Sequence, residues 1–147
     1  MSNCGKEFEK MKSLKFLMLP SIIICCFLFA GAYGEKNIFK ASVDSDGVQR
    51  VKILAGSYFF DPDYVIVKVN IPVELTVVKE PEITPHVFVI KEPGAGLDIE
   101  ESLSAEPKTI KFTPNKVGKY QFYCPKKLPF FKSHREQGME GIIEVVE

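Results

Sequence analysis

The chain has 147 residues, with 19 Lys and Arg balanced by 19 Asp and Glu, 46% apolar residues and 12% aromatics. That length holds one ordinary domain with a short appendage and excludes two. The charge balance excludes the basic excess of a nucleic-acid binder, and the apolar content excludes a largely disordered chain.

In chain order, residues 1–15 carry Lys6, Lys10, Lys12 and Lys15, and Phe16–Ala30 follows as a mostly apolar run of 15 residues. Ala30-Gly31-Ala32 then supplies the small residues of an A-x-A cleavage site. Basic head, short apolar middle and small-residue exit predict a signal peptide over residues 1–32. The alternative is a retained N-terminal membrane anchor, for which the run is short. Met11-Lys12-Ser13-Leu14-Lys15 would itself make a conventional signal start. Three of the four cysteines, Cys4, Cys25 and Cys26, fall in this leader, so a disulfide scaffold is excluded. What remains, residues 33–147, carries a net charge of −2 and keeps one cysteine, Cys124, two histidines, His86 and His134, and one methionine, Met139.

After a polar entry over Glu35–Asp46, the body alternates short β-rich runs with turn residues. Strands are predicted over Val48–Leu54, Tyr64–Val69, Val73–Lys79, His86–Lys91, Thr109–Phe112, Gly118–Cys124 and Gly141–Val146. Asp61-Pro62-Asp63, Asn70-Ile71-Pro72 and Pro93-Gly94-Ala95-Gly96 punctuate them, and Glu80–Pro85, with its two prolines, is expected as a loop. The acidic stretch Asp98–Glu106 is expected as a surface connection with at most one helical turn. No helical period is sustained beyond the leader. Seven to eight strands at this spacing predict an all-β sandwich rather than alternating βαβ units.

Residues two apart on a strand share a face. Tyr120, Phe122 and Cys124 therefore line up together, and so do His86, Phe88 and Ile90. Each of these alone reads as core: a free cysteine is a common core filler, and a lone histidine entering an apolar strand is usually a hydrogen-bonded core residue. Taken together they read differently. His134 and Met139 lie five apart just downstream of Cys124, and Gly138 and Gly141 bracket the methionine. Two imidazoles, a thiolate and a weaker thioether form the donor set that suits copper in electron-transfer sites.

The pattern Gly118-x-Tyr120-x-Phe122-x-Cys124, then His134-x-x-x-x-Met139-x-Gly141-x-Ile143, resembles the cupredoxins, the small blue copper proteins. Phe60-x-Pro62 and Pro85-His86-x-Phe88 resemble the first half of that family, so the likeness spans roughly Val51–Val146. It implies a Greek-key β-sandwich over 33–147 holding one copper ion. It further implies that His86, Cys124 and His134 are the equatorial ligands and Met139 the axial one. The chain departs from the family in one place. Pro125–Ser133 puts nine residues between Cys124 and His134, where the family has only a few. The long loop of a binuclear copper centre carries a second cysteine, which is missing here, so the site is expected to be mononuclear. Phe130 and Phe131 are either a lid over the metal or the tip of a docking surface, and a shielded site is the expectation.

The resemblance implies an exported, periplasmic one-electron carrier between respiratory or oxidative redox partners, without catalytic turnover. The alternative is a periplasmic copper carrier or storage module that delivers the metal to an oxidase. Lys126, Lys127, Lys132 and Arg135 cluster on the ligand loop, while Asp98, Glu100, Glu101 and Glu106 lie in the preceding connection. Such runs are usually solvated surface, but a basic rim would also suit a redox partner with an acidic docking face. Contact with a membrane is expected only through an uncleaved leader, and the chain is expected to be a monomer.

Overall fold

Alternation of apolar and polar residues builds the two sheets that face each other across the core. The structure, a computed structural model, describes residues 37–147. The expected signal peptide, its expected cleavage point and Cys4, Cys25 and Cys26 lie outside the described residues. Lys36–Glu147 form one compact unit, and its described core residues form one cluster.

Among the described residues ten strands run in chain order: β1 (Ile38–Lys40), β2 (Gln49–Gly56), β3 (Phe59–Asp61), β4 (Tyr64–Lys68), β5 (Val73–Lys79), β6 (His86–Glu92), β7 (Leu97–Leu103), β8 (Lys108–Phe112), β9 (Gly118–Tyr123) and β10 (Glu140–Val146). One sheet has the order β1-β4-β10-β9-β6-β7 and the other β3-β2-β5-β8. Within them, β4 pairs in parallel with both β1 and β10, and β2 pairs in parallel with β5. Val51, Ile53 and Ala55 of β2 and Val73, Leu75 and Val77 of β5 point inward from the smaller sheet. They meet Val65 and Val67 of β4, Phe88 and Ile90 of β6, Phe122 of β9, and Ile143 and Val145 of β10. The predicted sandwich is therefore the observed architecture.

The acidic stretch corrects one expectation. Asp98–Glu106 is not a surface connection with a helical turn: Leu97–Leu103 is the edge strand β7, in register with β6 from Glu92↔Leu97 to His86↔Leu103. Leu97, Ile99 and Leu103 face the core. Lys91 on the neighbouring strand pairs with both Asp98 and Glu100 at 3.1 Å, and Lys108 pairs with Glu101 at 3.0 Å. The carboxylates that argued against a strand thus have cations across the ladder and at the start of β8. The other additions, β1 and β3, have three residues each, too few to show a period.

Two details fix the end of the sandwich where Cys124 lies. Phe60, Phe88 and Phe122 form a three-ring cluster: Phe88 and Phe122 stack at 5.1 Å, and Phe60 stands edge-on to them at 5.6 and 5.3 Å. Each of the latter two precedes or follows a metal-ligand candidate by two residues, so the cluster lies beneath His86 and Cys124. Gly141 sits beside this cluster because nothing larger fits. A Cβ there would come within 2.3 Å of the Phe122 ring and 2.4 Å of the Asp63 carbonyl oxygen.

Candidate metal centre

Three chain segments converge at the end of the sandwich above the phenylalanine cluster. His86 opens β6, Cys124 follows the last residue of β9, and His134 precedes a short 3-10 turn over Arg135–Gln137. The His86 and His134 Nδ1 atoms lie 3.1 Å apart, and they lie 3.9 and 3.5 Å from Cys124 Sγ. One donor atom from each residue falls within 4.8 Å of the others, an arrangement that can hold a metal ion. Both imidazoles turn the same nitrogen inward. The set is closed to solvent: Cys124 and Met139 are fully buried, and His86 and His134 are 1% and 3% exposed.

Backbone hydrogen bonds hold these segments together. Val87 N–H donates to Cys124 Sγ at 3.4 Å. Cys124 N–H donates to the Met139 carbonyl at 3.0 Å, and Met139 N–H to the His134 carbonyl at 2.9 Å. Met139 is thereby tied by its backbone to both Cys124 and His134. Burial first, and then the neighbouring His86, keep the His134 imidazole below its ordinary pKa, against the opposite pull of Glu82. The neutral form, which metals require, is favoured.

The nine-residue insert does not open this site. His134 N–H donates to the Lys126 carbonyl at 2.8 Å and Arg135 N–H to the Cys124 carbonyl at 3.0 Å. These bonds close the neck of the loop, so the insert leaves and returns at nearly one point. The two phenylalanines are not a lid. Phe130 is fully exposed and Phe131 is 67% exposed, with Leu128 beside them at 53%. They form an apolar tip flanked by the exposed Lys126, Lys127 and Lys132. Arg135, grouped with these lysines by sequence, instead lies over the Tyr123 ring at 4.3 Å and pairs with Glu140 at 3.1 Å.

Two residues at the site were not singled out by sequence. Tyr58, in the β2–β3 turn, stands edge-on to His134 with ring centroids 5.0 Å apart. Its φ of 66° lies in the left-handed region, unusual for a bulky side chain. Glu82, in the predicted Glu80–Pro85 loop, places Oε1 2.6 Å from His86 Nε2 and accepts Ser57 Oγ–H on Oε2 at 2.5 Å. Burial opposes its ionisation, but the bonds from Ser57 and His86 outweigh that and leave its pKa below the ordinary carboxylate value. The one available signal for Glu82 is its place four residues before His86 in a loop bent by Pro81 and Pro85.

A family model for the cupredoxin-like domain matches residues 21–138. No curated protein sequence matches the chain. Among solved structures, the chain is similar to the metal binding domain of the Streptococcus pneumoniae D39 Cu(I)-exporting P-type ATPase CopA with Cu(I). That likeness has 28% identity and a TM-score of 0.58, and it covers 78% of this chain and 100% of that one. A copper binding protein in the apo form is 18% identical, at a TM-score of 0.55 over 73% of this chain and 95% of its own. Dithionite-reduced auracyanin from the photosynthetic bacterium Roseiflexus castenholzii is 20% identical, at a TM-score of 0.54 over 73% of this chain and 99% of its own. At those lower identities the last two likenesses are of fold alone.

Proposed function

The chain belongs to the cupredoxin-like family, and from that premise we propose that it is an exported mononuclear copper protein that carries single electrons between redox partners. Copper is the metal of this family, and the His86, Cys124 and His134 group can hold one ion. In this reading those three residues, together with Met139, would hold the ion. The observation that carries it is the convergence of His86, Cys124 and His134 donor atoms in a buried position. Bound there, copper supplies a one-electron couple, and the chain's own residues do the rest. The imidazoles offer Nδ1 lone pairs, Cys124 offers a thiolate that accepts the Val87 N–H, and the loop neck and the core exclude water. A frame that has little to rearrange suits electron exchange rather than turnover. Export is supported by the basic and apolar leader in the sequence.

The decisive measurement is the spectrum and voltammetry of the Cu(II)-loaded chain. A visible charge-transfer band and a reversible one-electron wave are expected. The second reading, a copper carrier, is favoured by the 28% identity to the exporter's metal binding domain over that domain's whole length. A colourless protein that binds only Cu(I) and surrenders it readily to a chelator would select it.

Metal binding should also appear as folding linkage. A ligand that binds only the native state stabilises it by about 4 kcal/mol at a thousandfold excess over its dissociation constant. Copper should therefore raise the melting temperature, and His86→Ala should remove most of the gain. Melting indifferent to copper would contradict the assignment.

The exposed apolar tip with its lysines supports a docking face for a partner bearing acidic groups. Lys126→Glu combined with Lys127→Glu should slow oxidation of the reduced protein by ferricyanide, an anionic probe, in low salt. Near 1 M salt, where the Debye length is about 3 Å, the difference should vanish. Equal rates in low salt would remove the steering role.

A further inference from the structure

We propose that Glu82 is a positioning residue for His86: its carboxylate fixes which imidazole nitrogen faces the metal, and its charge biases the site toward the more highly charged copper ion. The second half rests on the copper reading above, whereas the first half does not.

A neutral imidazole carries one N–H, and the better acceptor decides which nitrogen keeps it. His86 Nε2 faces Glu82 Oε1 at 2.6 Å, a short contact typical of a charge-assisted bond. Nδ1 faces only Cys124 Sγ and the other imidazole. The carboxylate is the stronger acceptor, so the proton resides on Nε2 and the Nδ1 lone pair is left pointing into the donor set. Partners of this kind, beyond the ligands themselves, commonly orient metal-binding histidines and raise their basicity.

Glu82 can play this part because it is itself fixed. Ser57 Oγ–H donates to its second oxygen, Lys79 Nζ donates to its carbonyl, and its own N–H donates to the Glu80 carbonyl at 2.8 Å. Its side chain is 17% exposed, so the charge is only partly screened by water. Ser57 also precedes Tyr58, the residue that stands against His134. One turn, between β2 and β3, therefore braces both imidazoles: His86 through Glu82, and His134 directly.

A fixed negative charge beside a ligand stabilises Cu(II) over Cu(I). Removing it while keeping the shape should shift the ratio of the two affinities about tenfold toward Cu(I), a rise in reduction potential of about 59 mV for one electron. A residue that served only to hold its loop would change the melting temperature and leave the potential alone.

Two measurements on the full-length protein test this. Nitrogen-15 spectra of the metal-free protein should show His86 as the Nε2–H tautomer with a slowly exchanging ring proton. Glu82→Leu should lose that protected proton. If the wild-type His86 proton sits on Nδ1, or is unchanged in Glu82→Leu, the positioning role is overturned, whether or not copper binds. In the copper-loaded protein, Glu82→Gln should raise the potential with the fold intact by circular dichroism, and an unchanged potential would overturn the electrostatic role. Should no copper bind at all, the copper reading fails and the bias with it, and the tautomer result alone decides the positioning role.

Discussion

Cys124→Ser should leave the Cu(II)-loaded protein without its visible charge-transfer band while the sandwich stays folded. Cys4, Cys25 and Cys26 are best changed to serine beforehand, so that Cys124 is the one thiol in the sample. Its Sγ is fully buried and lies 3.5 and 3.9 Å from the two inward Nδ1 atoms. Serine is close in size, and its hydroxyl can still accept the Val87 N–H that donates to sulfur in the wild type. The fold therefore loses little. What disappears is the thiolate, the one soft anionic donor of the set, because a serine hydroxyl does not ionise near neutral pH. Absorption and electron paramagnetic resonance spectra of the loaded variant check this, alongside its melting curve. A band of undiminished intensity would mean that Cys124 is not a ligand.

The second large effect is expected below the site. Phe122→Ala should cost about 3–5 kcal/mol, as truncation of a fully buried aromatic usually does. For a unit of this size that corresponds to a fall of roughly 10–20 °C in melting temperature. Phe122 stacks on Phe88 at 5.1 Å and meets Phe60 edge-on at 5.3 Å, so its removal strips contacts from two other buried rings. The cavity would open on β9, two residues before Cys124, and beside the strand that begins with His86. Urea unfolding gives the free energy, and copper titration gives the accompanying loss of affinity. A cost below 1 kcal/mol would show that the cluster repacks and does not brace the site.

Strand positions were legible wherever apolar residues alternate over five or more positions. Val73–Lys79 coincides with β5, and the predicted strands at Tyr64, His86, Thr109, Gly118 and Gly141 match β4, β6, β8, β9 and β10 to within a residue or so at each end. β7 was hidden because Asp98, Glu100 and Glu101 are poor strand formers on their own; their neutralisation by Lys91 and Lys108 depends on tertiary pairing that a linear reading does not contain. The donor residues stood out because so few soft side chains follow residue 32: one cysteine, two histidines and one methionine. Glu82 did not, since it is one carboxylate among many and gains its meaning only from a bend that returns it to His86. The fate of Phe130 and Phe131 was equally unreadable. An aromatic pair in a long loop serves as a lid or as a tip, and the hydrogen bond from His134 N–H to the Lys126 carbonyl decides between them by closing the neck behind the pair.

The acidic edge strand also bears on how copies of this chain meet. Among the described residues the two sheets end in four margins, β1, β7, β3 and β8, and an unpaired margin can recruit a strand from another molecule. Here β1 and β3 are three residues long, too brief to template an added strand. β8 presents Lys108 and Lys111 within five residues, and β7 presents Asp98, Glu100 and Glu101 within seven. The Lys108–Glu101 ion pair also joins the two charged margins, β8 of one sheet and β7 of the other. An incoming strand would have to desolvate these charges and break their pairings before forming its first ladder bond, so the margins that could seed fibrillar stacking are the ones least suited to it.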